Sequence, residues 1–287
     1  MLQHNGDLMR FFFKLTLLLA LTLTGCGGMI DDLLGRDTGE LSDDKYSGKN
    51  ESELLKEAEQ ATEAGNYTKA VELYETMQSR FPFGDLAAQA LLNSAYAYYK
   101  NGDSEAALAA IERFVQMHPR NPSIDYAYYL KGLVEYNRNI GFIDRFLPTD
   151  SSQRDITSVQ QAYLYFEEML NRFPNTQYAE DARQRMTALR NTMAWHELHI
   201  ARYYLKRKAF LAAANRAHAI VSQYDRTPAV PYALQLLEQC YNELNMAKLA
   251  EDTTRIYSLN FPDGPLVEEH ANRTLAGKVW DFLGWEQ

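Results

Sequence analysis

One phrase, written several times over, limits this chain to very few folds. Pro82 and Pro119 stand 37 residues apart, as do Ala70 and Ala107, and Ala213 and Ala250. Each proline closes a similar phrase: Arg80-Phe81-Pro82, Met117-His118-Pro119, Arg172-Phe173-Pro174 and Asn260-Phe261-Pro262. Upstream of three of these lie an apolar helical stretch, a turn at Gly65-Asn66, Gly102-Asp103 or Asn245, and a second helix carrying the alanine. Self-similarity at this period signals units that bury their apolar faces only by stacking on neighbours.

Alignment on the alanines gives five units, with Ala70, Ala107, Ala162, Ala213 and Ala250 in equivalent places. A second small residue precedes by twelve positions at Ala58, Ala95 and Ala201; in the third unit Gly132 takes this role, 18 residues further off. Small residues at crossing points let helices approach to the lower end of the usual 8–10 Å spacing. The bulky residue seven after each alanine (Met77, Phe114, Met169, Ile220, Tyr257) is placed to fill the seam to the next hairpin. Proline then stops the second helix. The pattern resembles the tetratricopeptide repeat and predicts an all-α fold, a right-handed superhelical solenoid of five helical hairpins. The hairpins fall at about 51–82, 86–119, 123–174, 178–225 and 229–262. The fifth unit carries Glu238 at the small position and the fourth ends in Tyr224-Asp225 without a proline, so less regular junctions are expected there. The 18 extra residues at about Asn137–Arg154 predict a loop. A 14-residue expansion before the fourth alanine, nearly four helical turns, predicts one long helix from about Tyr178 to Lys206.

The start of the chain has a different logic. Arg10 and Lys14 precede the apolar run Leu15–Thr24, too short for a resident spanning helix, and Leu23-Thr24-Gly25-Cys26 closes it. This segment resembles the lipobox of bacterial lipoproteins, which implies a signal peptide over 1–25 and lipid on Cys26; the alternative is an ordinary signal with an incidental cysteine. Met1–Leu8 is polar and carries Asp7, so Met9 is a second candidate start. Several acyl chains make anchoring effectively permanent. Gly27, where aspartate would resemble the inner-membrane retention signal, implies the outer membrane, facing the periplasm. Residues 27–50 are polar and glycine-containing and read as a flexible tether. The net charge of −9 argues against nucleic acid, whose binding leans on phosphate neutralisation. Cys240 is the only other cysteine, so with Cys26 lipidated no intrachain disulfide is left to form.

No catalytic constellation emerges. The histidines of His196-Glu197-Leu198-His199 are three apart, whereas the zinc helix H-E-x-x-H needs four, so no metal site is expected. No nucleophile elbow, phosphate loop or dinucleotide fingerprint occurs. Neither enzyme activity nor a cofactor is expected. What remains is a surface: the first helices of tetratricopeptide hairpins line a concave groove. On that pattern Tyr96, Tyr99, Lys100, Tyr126, Tyr129, Leu133, Tyr136, Trp195 and Arg202 face inward, while Tyr98 and Tyr128 occupy seams. Tyrosine offers large apolar area with a polar tip and suits peptide recognition. In the tail, 263–287, apolar residues from Val267 to Leu283 read as a capping helix, with a partner-binding tip at Trp280 and Trp285 as the alternative.

Several phrases carry a closer resemblance: Arg80-Phe81-Pro82-Phe83-Gly84, Ala95-Tyr96-Ala97-Tyr98-Tyr99-Lys100, His118-Pro119 through Asp125-Tyr126, Asp144–Asp155, and Phe173-Pro174-Asn175-Thr176-Gln177-Tyr178. Together they resemble the BamD family of five-repeat lipoproteins of the outer-membrane β-barrel assembly machinery, over about Ser52–Asn260. The resemblance implies a non-enzymatic scaffold that binds the periplasmic POTRA region of a BamA-like barrel protein through its C-terminal repeats. It further implies accessory lipoprotein partners and unfolded outer membrane proteins held in the N-terminal groove. By the same resemblance Arg216, within Asn215-Arg216-Ala217, falls at the BamA contact. Another repeat lipoprotein, such as a pilotin for a secretin or pilus channel, is the alternative; it should lack the loop in repeat three.

Overall fold

A computed structural model describes residues 43–46, 48–138 and 156–265. The expectations for the signal segment, Cys26, most of the repeat-three loop and the capping tail lie outside these residues. All regular structure among the described residues is helical. After a single turn at Asp43–Tyr46 come ten helices: α1 (Glu51–Glu63), α2 (Tyr67–Arg80), α3 (Asp85–Asn101), α4 (Ser104–Met117), α5 (Ile124–Asn137), α6 (Thr157–Arg172), α7 (Ala179–Lys206), α8 (Phe210–Gln223), α9 (Val230–Glu243) and α10 (Ala247–Asn260). They pair as α1–α2 through α9–α10, and each second helix also packs on the first helix of the next pair. First helices touch one another as well, α1 with α3, α3 with α5 and α7 with α9. The first helices therefore line the inner side of the stack. The long helix expected before the fourth alanine is α7, 28 residues long.

The seams follow from residue size. Ala70, Ala107, Ala162 and Ala213 are fully buried, as are their partners Ala58, Ala95 and Ala201. At Gly132 the approach is closer still: a Cβ there would lie 2.5 Å from the Phe166 ring, and Phe166 is itself fully buried. Met77, Phe114, Met169 and Ile220 fill the next layer with no exposure, each burial contributing about 1.5–3 kcal/mol. The fifth pair has no small residue to match Ala250. Glu238 sits half-buried at the small position, and Ala250 keeps 5% exposure.

Turn chemistry sets the hairpins. Gly65 (φ 74°), Gly102 (φ 87°), Lys208 (φ 60°) and Asn245 (φ 58°) occupy the left-handed region that ends α1, α3, α7 and α9. Each is followed by an amide that reaches back to close the helix end, Asn66 to Ala61, Asp103 to Tyr98, Ala209 to Tyr204 and Met246 to Tyr241. Asn66 and Asp103 then cap α2 and α4 by accepting from the Lys69 and Ala106 amides.

Two expectations need correction. Tyr224, without a proline after it, takes φ −121° and ψ 41°, close to the Phe81, His118, Phe173 and Phe261 caps, and its amide bonds Ile220 at 2.9 Å. The ring of Tyr224 packs on the C-terminal core cluster, as the Phe81, Phe173 and Phe261 rings pack on theirs, and the same bend forms without a proline. The packed body also begins earlier than the sequence suggests, before residue 51. Tyr46 is 3% exposed in the core of the first pair, and Arg80 donates to the Tyr46 and Lys49 carbonyls at 2.5 and 3.2 Å.

Gly132→Ala should therefore destabilise the body. Overpacking costs about 1–3 kcal/mol, and the helix-propensity gain of about 1 kcal/mol offsets only part of it. Lys208→Gly should act the other way, stabilising by about 1 kcal/mol through relief of a left-handed non-glycine residue. Denaturant unfolding of the two variants, read as opposite shifts in midpoint, checks both.

Candidate functional site

The inner face carries a cluster of tyrosines that three first helices bring together. Tyr96 and Tyr99 on α3 have ring centroids 6.2 Å apart. Tyr126, near the start of α5, lies 5.5 Å from Tyr178, which caps α7, and Tyr129 stacks on Tyr178 at 4.6 Å and 13°. Burial, then the neighbouring Tyr96, Tyr178, Tyr129 and Tyr99, hold the Tyr126 phenol well above its ordinary value, so it stays a neutral donor.

Beside this cluster opens a cleft of about 550 Å³, lined by Asp85, Gln89, Asn93, Asp125, Tyr126 and Tyr178 among others. Its walls mix aromatic surface with carboxylate and amide groups. Asp125 is fixed in place, accepting from Thr176 Oγ1 at 2.6 Å and from the Tyr126 amide at 2.8 Å. Such a surface can hold an extended polypeptide through ring contacts and side-chain hydrogen bonds. It holds no cluster of three or more histidine, cysteine or acidic ligands, and none occurs elsewhere among the described residues.

The sequence-predicted residues divide into groups. Tyr126 lines the large cleft. Tyr99 and Lys100 line a second cleft of about 300 Å³, where Asn137 Nδ2 donates to the Tyr99 hydroxyl at 2.7 Å. Lys100 is exposed, its ammonium 5.7 Å from the Tyr67 ring. Leu133 is half-buried against the neighbouring cores. Tyr136 meets Phe166 edge-on and lies under the Arg185 guanidinium at 4.8 Å. Tyr129 is not an open groove tip: it is 9% exposed, and its hydroxyl donates to Asp181 Oδ2 at 2.6 Å. Burial and Asp181 push its phenol up to about 12. Trp195 is not in the groove either. It is 3% exposed in the C-terminal core, 5.5 Å from Tyr232, because α7 at that level packs on both α8 and α9. Arg202 lies half-buried above the same Tyr232 ring at 5.8 Å. Tyr98 and Tyr128 occupy seams, Tyr98 bonded to Glu75 and Tyr128 packed 5.5 Å from Phe173.

Three groove residues escaped the sequence reading: Tyr178, Asp181 and Arg185. Arg185 grips Asp181 through Nε at 2.5 Å and Nη2 at 3.2 Å. The available signal was their i, i+3, i+7 spacing at the start of the long helix, on the side of the preceding tyrosines. On the outer side, Asn215 is exposed, and Arg216 is 46% exposed with Nη1 donating to Glu197 Oε2 at 3.1 Å. Cys240 is fully buried, and burial pushes its thiol up to about 11, so it is inert at neutral pH.

Comparison with known proteins places this architecture in context. A family model described as "YfiO: Outer membrane lipoprotein" matches residues 47–256. The chain is 44% identical over 216 residues to the outer membrane protein assembly factor BamD of Neisseria meningitidis serogroup B, covering 75% of this chain and 81% of the relative. It is 34% identical to the same-named protein of Xylella fastidiosa, covering 90% and 82%, and 36% identical to that of Vibrio cholerae, covering 73% and 87%. A solved structure of tetratricopeptide-like repeats of a putative kinesin light chain from Podosopora anserina is 16% identical, with a TM-score of 0.32, covering 72% of this chain and 92% of that one.

The Arg185 hydrogen bond holds the Asp181 carboxyl below its ordinary value, with Tyr129 adding to the effect. A depressed acid stabilises above its unfolded value near pH 4, and the contribution is lost as pH falls through the folded value. Thermal unfolding should therefore weaken more steeply below about pH 4 in the native chain than in Asp181→Asn. Parallel pH profiles for the two would contradict this linkage.

Proposed function

The chain belongs to the YfiO family of outer membrane lipoproteins, and from that premise we propose that it is a non-enzymatic scaffold for assembling β-barrel proteins into the outer membrane. The process is the one named in its relatives, and the tyrosine-lined inner cleft is the observation that carries the reading. An unfolded barrel protein offers alternating apolar and polar side chains on an extended backbone. The rings of Tyr126 and Tyr178 and the polar groups of Asp85, Asn93 and Asp125, all lining the cleft, meet both kinds, and Tyr96 on α3 adds a ring beside Tyr99. Tyr99, Lys100 and Tyr136 extend the same face.

In this reading Cys26 carries the lipid and the body hangs on the periplasmic side of the outer membrane, alongside accessory lipoproteins of the same machinery. The C-terminal repeats hold the POTRA region of a BamA-like barrel protein, with Asn215 and Arg216 at the contact. The pairing of Arg216 with Glu197 is compatible with that role. Glu197 engages Nη1, and a guanidinium presents five donors, so another edge serves a partner's carboxylate.

Affinity recovery from solubilised membranes, using the tagged lipidated chain, tests the reading. The native chain should recover a large barrel protein bearing POTRA domains. Arg216→Glu should lower that recovery at least about tenfold, the scale of 1.4 kcal/mol, with helicity unchanged. The swap Arg216→Glu with Glu197→Arg restores the internal pair but should not restore recovery. Recovery of a secretin alone, or undiminished recovery by the variants, would sink the respective claims.

A further inference from the structure

The five turns that link one hairpin to the next, or leave the last, have equivalent tips, and one tip breaks the pattern. The second residue after each helix cap is exposed: Phe83, Arg120, Asn175, Arg226 and Asp263. Four of these are polar, as an exposed tip requires. Phe83 is a bare aromatic ring at 85% exposure.

The backbone holds it there. In the next three links the first helix resumes six residues after the cap, at Ile124, Ala179 and Val230, whereas α3 resumes four residues after Phe81. This shorter turn passes through Gly84 at φ 107° and ψ 178°, a conformation that essentially only glycine takes. A Cβ on Gly84 would meet nothing within 4 Å, so the turn geometry, not crowding, demands the glycine. The turn is anchored from the inner side by Phe81, which packs on the core of the first pair under the Arg80 guanidinium.

The position of this turn identifies what the ring faces. Arg80, three residues before Phe83, clasps the Tyr46 and Lys49 carbonyls. The chain arriving from Cys26 therefore joins the body beside the last turn of α2, where Arg80 itself is within about 11 Å of chain length from the Phe83 tip. In the lipid-anchor reading, only the stretch 27–42 separates Cys26 from that point. Of the five tips, this is the one adjacent to where the tether enters. One ring inserts too weakly to hold a free protein on a membrane, but a tether converts the contact into an intramolecular one at high effective concentration.

We propose that the Pro82-Phe83-Gly84 tip seats on the lipid surface in which the chain is anchored, turning a loose tether into a two-point attachment that orients the repeat stack. The proposal rests on the lipid-anchor reading of Cys26. Its consequence is geometric: the first hairpin lies against the membrane, and the C-terminal repeats project away from it.

The test places an environment-sensitive nitrobenzoxadiazole probe at Phe83→Cys in the full lipidated chain, on vesicles of phosphatidylethanolamine and phosphatidylglycerol. Buried Cys240 does not compete for the label. A probe at Leu259→Cys, at the other end of the stack, is the reference. The Phe83 probe should blue-shift and be quenched by doxyl-labelled lipid, while the Leu259 probe does neither. A Phe83 probe that stays water-like while the chain still floats with the vesicles overturns the proposal and leaves the anchor intact. A probe that shifts only when a POTRA-bearing barrel protein is added overturns it in favour of a protein contact. A chain that fails to float removes the anchor reading, and the proposal with it.

Discussion

Everything in this fold depends on how closely two helices can approach at the crossing points. Where Ala58 faces Ala70, or Gly132 faces Phe166, the missing side-chain volume lets the backbones close in and leaves no void. That contact fixes the tilt of each hairpin, and the tilt fixes where the next seam residue lands. Met77, Phe114, Met169 and Ile220 then lock successive hairpins, giving a stack whose first helices share one side. A larger residue at any crossing would alter the shape of the inner face far from the substitution, because each unit contacts only its neighbours and errors propagate along the stack.

The inner face is thus a product of the seams. Residues on the first helices that are not consumed by packing point into the curve, and the sequence supplies tyrosine at many of them. Packing takes some of these back. Tyr129 is drawn down onto Tyr178 and tied to Asp181, which in turn holds Arg185 over Tyr136. This chain of contacts joins α5 to α7 across the level where repeat three is interrupted by its insertion. It works as a brace for the groove wall, and Tyr126 and Tyr178 keep edges facing the cleft because the brace holds the helices behind them.

The repeats were legible because their signals are local and periodic: alanine and proline spacing gave the hairpins, and the 14-residue expansion gave α7 in full. The regular bend at Tyr224 was not legible, since no proline marks it and its ring is held by a tertiary contact that no local rule reports. The same holds for Tyr46, whose place in the first core depends on Arg80 folding back across 34 residues of sequence. Within the site, helical phase agrees with Tyr126 lining a cleft and with Tyr128 packing in a seam. It misplaced Trp195, because the length of α7 lets its later turns meet two helices at once. Tyr178 stands at a helix cap, and only its spacing to Asp181 and Arg185 on the same helix ties it to the groove side.

The central claim is that the inner cleft receives unfolded barrel proteins. A photo-crosslinking amino acid at Asn93, which lines the cleft, and another at Glu167, exposed on the second helix of the third pair, test it most directly during outer membrane protein assembly. The account predicts an adduct with the unfolded barrel protein from Asn93 and none from Glu167. Equal adducts from both positions, or adducts from Glu167 alone, would contradict it.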